Sequence, residues 1–234
     1  MKGFIKKLLF IVSTIIILLG LAFYVYTEDY YQAKDEVREY LNKANVEVED
    51  DVIIFNNNKA NKRLIFYPGA KVEFRAYAPL MNELCDRGFE CYLLKMPFNL
   101  AFFGINEAEK YLDENKDNYL MGHSLGGSMA AEYLSNNSAN IDGLILLASY
   151  SASNIADLNI KVLSIYGSED GVLNREKYNE SKTNLPANFF EFVIDGGNHA
   201  GFGSYGKQKN DLEAKISGKE QIELTADEIF KRLK

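Results

Sequence analysis

Only two histidines occur among the 234 residues, His123 and His199, so any imidazole chemistry must use one of them. His123 lies in Gly122-His123-Ser124-Leu125-Gly126-Gly127, a Gly-x-Ser-x-Gly string between an apolar run and a helical pattern. A serine hydroxyl becomes an effective nucleophile when a base takes its proton, and histidine titrates nearest neutral pH. The spacing has a steric reason. A sharp strand–turn–helix holds the serine in a strained backbone conformation, and a side chain at either flanking glycine would collide with neighbouring backbone. The same turn aims a helix amino terminus at the hydroxyl, where free N–H groups favour negative charge. Ser124 is therefore the candidate nucleophile; an ordinary Gly-Ser turn capping a helix is the plainer reading of the same string.

His199 is the candidate base. It stands in Gly196-Gly197-Asn198-His199-Ala200-Gly201, a glycine-flanked loop after the last long strand, where a surface histidine is the alternative. His123 precedes the serine, so its side chain should project away from Ser124 Oγ into packing or hydrogen bonding. The third member must orient the imidazole and stabilise its cation. Asp170, ending Gly167-Ser168-Glu169-Asp170-Gly171, fits that role better than Glu169, Asp157 or Asp195. Acyl transfer also needs donors for the developing oxyanion. The Leu125 N–H is one expected donor. The Ala70 N–H, in Pro68-Gly69-Ala70-Lys71, is the other, unless that string is a plain Pro-Gly turn with Lys71 solvated.

These residues need elements to carry them. Apolar runs bounded by turn residues occupy 52–55, 63–67, 89–95, 118–121, 141–148, 161–166 and 188–194. Helical patterns occupy 73–87, 106–115, 124–135, 173–183 and 225–233. The first two runs, around the polar stretch 56–62, read as an antiparallel hairpin. Strand and helix then alternate, which calls for an α/β, doubly wound, mostly parallel sheet in one domain over 46–234. Ligands of such sheets collect at the carboxyl ends of the strands, where each candidate residue falls.

Residues 8–26 are 19 consecutive uncharged residues, roughly 28 Å as a helix at about 1.5 Å per residue. That matches a bilayer core, and Lys2, Lys6 and Lys7 before the run place the amino terminus in the cytoplasm. Residues 1–26 thus read as a membrane anchor with the body outside. A cleavable signal, with Gly20-Leu21-Ala22 as its site, and a buried core helix are the alternatives. The polar stretch 27–45 reads as a juxtamembrane helix or stalk. Without the three lysines the chain holds 23 basic residues against 33 acidic, a net charge of −10, which offers no stripe for nucleic acid. Two histidines and two cysteines remove most metal chemistry, and no cofactor is implied. Cys85 and Cys91 read either as a disulfide or as two buried thiols.

Taken together, the chain resembles the α/β-hydrolases over roughly 50–234, in motif order Ser124, Asp170, His199. More closely, it resembles a small bacterial branch whose pattern here is Tyr67-Pro68-Gly69-Ala70-Lys71-Val72, then Ala76-Tyr77-Ala78-Pro79-Leu80, Lys95-Met96-Pro97-Phe98-Asn99-Leu100-Ala101 and Gly122-His123-Ser124-Leu125-Gly126-Gly127. Gly203-Ser204-Tyr205-Gly206 with Gln208 and Asp211 also fits that branch. The resemblance implies a serine hydrolase similar to esterases and dienelactone hydrolases, often preceded by one membrane helix, acting on a small or lipid-like ester. An acyltransferase on the same residues and a non-catalytic surface module are the competing functions. Many relatives insert a cap where only 150–159 separates two core strands here. The cover would then be the apolar loop 98–104, read as an acyl-binding wall or as inward packing, together with the glycine-rich stretch after His199.

Overall fold

Leu64, Ile65, Phe66 and Tyr67 are consecutive and all fully buried, which only a strand covered on both faces allows. The computed structural model, which describes residues 2–234, puts that strand at the centre of one sheet. Its strands are β1 (Val46–Val48), β2 (Val52–Phe55), β3 (Lys62–Tyr67), β4 (Glu90–Leu94), β5 (Asp117–His123), β6 (Gly143–Leu147), β7 (Lys161–Gly167) and β8 (Phe190–Ile194). They lie in the order β1-β2-β4-β3-β5-β6-β7-β8, with β1/β2 and β2/β4 antiparallel and every other pair parallel. The helices are α1 (Lys2–Glu28), α2 (Val37–Leu41), α3 (Ala78–Asp86), α4 (Leu125–Asn136), α5 (Arg175–Ser181) and α6 (Gly218–Leu233).

Side chains alternate between two cores, as the strand period of two requires. Leu64, Phe66, Met121, Ile145 and Leu163 face Leu80 and Leu84 of α3 and Ile222, Ala226 and Ile229 of α6. Ile65, Tyr67, Leu120, Leu144 and Val162 face Ala130, Ala131 and Leu134 of α4. This is the doubly wound arrangement.

The amino-terminal hairpin is present, but one strand earlier than the sequence pattern suggests: β1 pairs with β2, Val46 opposite Phe55. β2 then pairs with β4, and β3 inserts between β4 and β5. Burial decides this, since β3 is apolar on both faces and β1 keeps Glu47 and Val48 exposed at the edge. The pattern at 106–115 gives only a 3-10 turn at Glu107–Tyr111, because the buried Arg63 takes the Tyr111 carbonyl at 2.6 Å and ends it. At the carboxyl end, α6 starts seven residues before the expected 225, at Gly218, with Ser217 accepting from the Glu220 N–H at 3.1 Å.

Two compact units divide the chain, one ending at Tyr30 and the other running Tyr31–Lys234. Beyond Glu28, only α2 is helical up to residue 45. The Tyr31 N–H bonds the Lys71 carbonyl at 2.7 Å, Lys34 N–H bonds the Ser204 carbonyl at 2.9 Å, and Val37 is buried in the core. Among the described residues, α1 is the one helix long and apolar enough to cross a membrane, with a mean hydropathy of 2.8 over its most apolar 18 residues. Cys85 and Cys91 are both free and buried.

Candidate active site

The carboxyl ends of the parallel strands finish level. Tyr67 pairs with Gly122, His123 with Leu147, and Gly167 with Ile194. Ala70, Ser124, Asp170 and His199 all follow within five residues of a strand end on this edge. Proximity in space is thus a consequence of strand order, with no need for long loops.

Ser124 joins β5 to α4 with φ +52° and ψ −124°, a conformation side chains rarely adopt. The glycines make it feasible. A Cβ at Gly122 would lie 2.5 Å from the Gly126 and Gly127 backbone, and one at Gly126 would lie 2.1 Å from the Tyr67 carbonyl oxygen. The Ser124 carbonyl accepts the Ser149 hydroxyl at 2.6 Å, and the Ser128 hydroxyl donates to the Tyr150 carbonyl at 2.7 Å. These two bonds tie the loop after β6 to the first turn of α4.

His199 is buried, and its Nδ1 lies 3.1 and 3.0 Å from the two carboxylate oxygens of Asp170. Asp170 Oδ1 also accepts the N–H groups of Val172 at 2.9 Å and Leu173 at 2.8 Å. Burial works to raise the Asp170 pKa, but the bond from His199, its charge and the two backbone donors outweigh it, so the carboxyl sits below its ordinary value. An ionised carboxylate only accepts, so His199 Nδ1 carries the proton and Nε2 keeps a lone pair. That Nε2 is the one buried side-chain polar atom without a hydrogen-bond partner among the described residues. Glu169 turns outward to Lys215 at 2.7 Å, and Asp195 meets Ser168; neither touches His199.

His123 does not join this pair through its ring. Its Nε2–H donates to the His199 carbonyl at 3.1 Å, so its Nδ1 accepts the Tyr77 hydroxyl at 2.8 Å. Tyr77 in turn accepts the Gly69 N–H at 3.1 Å. Burial first, then the nearby His199, pushes the His123 pKa well below its ordinary value, which keeps this relay neutral.

Ser124, Leu125 and His199 line one cavity of about 230 Å³ together with Ser149, Leu173 and Asn174, and no Asp, Glu, Lys or Arg lines it. Leu125 opens α4, where N–H groups lack helical partners. Ala70 is not a lining residue of this cavity, although its loop begins at the Tyr67 and Pro68 carbonyls that abut Gly126. The apolar loop divides. Leu100 and Ala101 are buried, while Phe98, Phe102 and Phe103 are exposed and none of the three lines the cavity. No cap stands between β6 and β7. Among the described residues no group of three or more His, Cys, Asp and Glu is placed to hold a metal ion.

Ser149 and Gln221 serve this edge without a local sequence signal, and Tyr77 was marked only by the family pattern Ala76-Tyr77-Ala78-Pro79-Leu80. Gln221, wholly buried, takes the Asn198 N–H on Oε1 at 3.0 Å and donates from Nε2 to the Asn198 carbonyl at 2.8 Å. Gln221 precedes the 225–233 helical pattern, so nothing in its neighbourhood marked it.

Residues 63–223 match the Alpha/beta hydrolase family. No curated protein matches the chain. Among solved structures, a monoacylglycerol lipase from Paleococcus ferrophilus aligns with a TM-score of 0.61 at 13% identity, over 79% of this chain and 100% of that one. Est1E from Butyrivibrio proteoclasticus aligns at 0.55 and 14% identity, over 80% and 97%. A dienelactone hydrolase from Anabaena variabilis aligns at 0.54 and 11% identity, over 78% and 89%. At these identities the likeness is one of fold.

Proposed function

The chain belongs to the alpha/beta hydrolase family, and on that premise we propose that it is a serine hydrolase of small, uncharged carboxylic esters. The observation that carries the reading is His199: Nδ1 is held by Asp170, Nε2 is buried and unpartnered, and the residue lines a cavity together with Ser124. A buried acceptor left open is costly unless something uses it.

In this reading Ser124 Oγ attacks the ester carbonyl as His199 Nε2 takes the hydroxyl proton. Asp170 stays ionised and stabilises the imidazolium. The N–H groups of Leu125 and Ala70 receive the oxyanion. As the C–O bond breaks, His199 returns the proton to the departing alcohol. A water, deprotonated by the same nitrogen, then attacks the acyl-enzyme; as the bond to Ser124 Oγ breaks, His199 returns that proton to Oγ and the acid is released. The cavity supports a small substrate. Its volume of about 230 Å³ lies below the roughly 300–1,000 Å³ usual for pockets that take drug-sized ligands, and it offers no charged partner for an anion.

The test is a panel of esters of increasing acyl length, run on the full chain in detergent and on Ser124→Ala. Short esters should be cleaved fastest, a fluorophosphonate probe should label Ser124, and Ser124→Ala should abolish both. Hydrolysis retained by Ser124→Ala would end the proposal. We also read α1 as a retained anchor with the body outside the cytoplasm. Protease added to intact cells should then digest the body, and digestion seen only after lysis would reverse that topology.

A further inference from the structure

The segment between β8 and α6 carries a carboxylate that the chemistry above does not use. Asp211 is twelve residues beyond His199, yet its Oδ1 accepts the His199 N–H at 3.2 Å and the Gly171 N–H at 3.1 Å. Its Oδ2 accepts the Ala200 N–H at 2.9 Å, and the adjacent Leu212 N–H lies 3.0 Å from Oδ1. Gly171 follows Asp170 directly. One side chain therefore holds the backbone of both loops that carry the acid–base pair. The approach is close, since a Cβ at Gly171 would sit 2.6 Å from the Asn210 carbonyl oxygen. From the opposite side the His199 carbonyl is held by His123.

We propose that Asp211 is a positioning residue, fixing the Asp170 and His199 loops at hydrogen-bonding separation through their backbone N–H groups while touching neither substrate nor reacting atoms. The proposal rests on the roles of Ser124, Asp170 and His199 given above. A carboxylate suits the task because it offers about four acceptor sites and no donor. Bonds to an ionised acceptor are also roughly twice as strong as neutral ones. An amide at this position would turn donors toward at least one of the N–H groups. Asp211→Asn, nearly isosteric, should therefore harm catalysis much as Asp211→Ala does, which simple space-filling would not predict. A cavity of about 310 Å³ lined by Ala200, Gln208 and Asp211 opens here, so a small anion can enter after truncation.

The experiment uses the full chain in detergent micelles. Asp211→Asn and Asp211→Ala are compared with wild type for kcat and KM on a short ester. Proton NMR follows the downfield Nδ1–H signal of the His199–Asp170 pair. A displacement of about 1 Å in such a pair can cost about 100-fold, so kcat should fall about 10- to 100-fold with KM within about twofold. The downfield signal should shift or broaden, and formate should restore part of the rate of Asp211→Ala while leaving wild type unchanged. Both variants keeping kcat within twofold of wild type, or keeping the signal in place, would overturn the proposal. Should neither variant fold, amide exchange of wild type decides. The N–H groups of Gly171, His199 and Ala200 share one acceptor side chain and should open together; exchange at unrelated rates would overturn it. The NMR and exchange readouts do not depend on ester turnover, so a failure of the hydrolase reading, seen with Ser124→Ala, is told apart from a failure of this one.

Discussion

The two walls of the cavity share steric exclusion but differ in how far they lean on distant side chains. Around Ser124 the backbone is fixed by exclusion: Gly122 and Gly126 pack against carbonyls and amides with no room for a Cβ, and φ is +52° at Ser124 and +46° at Ala148. Around Asp170 and His199 a Cβ is excluded as well, at Gly167 by the Gly197 carbonyl oxygen 2.1 Å away and at Gly171 by that of Asn210, but the loops also take hydrogen bonds from distant side chains, Gln221 to Asn198 and Asp211 to Gly171, His199 and Ala200. Exclusion is local and unforgiving. Hydrogen bonding is distributed, so the loss of one partner weakens the wall by degrees. Ser124 is thus held mainly by local sterics, while His199 sits on a loop that also depends on two distant side chains.

Substitutions on each wall sharpen this contrast. Asp170→Asn should lower kcat on esters by about 10³- to 10⁴-fold, the scale seen when a triad carboxylate elsewhere becomes an amide, with little change in KM. A loss under tenfold would show that this wall does not orient the base. Gly126→Ala should destabilise the fold by about 3 kcal/mol or more, because its Cβ meets two backbone carbonyl oxygens that cannot rotate away. A urea midpoint close to wild type would refute the exclusion argument. Gln221→Ala removes a bidentate contact to the Asn198 backbone and should cost about 1–3 kcal/mol. A cost above that of Gly126→Ala would invert the comparison.

The smallest effect is a pH dependence. The folded chain keeps His123 neutral because burial, then His199, pushes its pKa well down. The unfolded chain protonates it below about pH 6.5, so the unfolded state gains protons there. Stability from this residue is complete above pH 6.5 and falls below it, by at most about 1.4 kcal/mol per pH unit. Asp170, also depressed, adds a loss in the same direction at lower pH, below about 3.9. His123→Asn should flatten the denaturation profile between pH 6.5 and 5; an unchanged slope would assign it to another group.

The exclusion wall was legible in the sequence because sterics admits few residue types. A glycine two residues either side of Ser124, after an apolar run, already specifies the turn. Asp170 and His199 were legible for a related reason: each lies just past a strand, at the edge where the sheet collects its loops. Of the supports of the second wall, Asp211 stood out only as part of the family pattern, and Gln221 left no trace. The bond between Asn198 and Gln221 spans 23 residues and imposes no spacing on either neighbourhood. The same limit explains the strand order. A continuous apolar run marks β3 as buried on both faces, but only its contacts with β4 and β5 show that β2 must lie elsewhere. It also explains Glu107–Tyr111, where a guanidinium from β3 overrides a helical pattern.

The two thiols have a practical consequence. Burial raises the Cys91 pKa well above its ordinary value, and burial together with Asp86 raises that of Cys85. Thiolate, the form that alkylating reagents attack, is thus scarce at neutral pH as long as the sheet and α3 stay together. Modification by iodoacetamide will then proceed no faster than the protein opens. The chain carries its own clock for unfolding, readable by mass spectrometry without any added label.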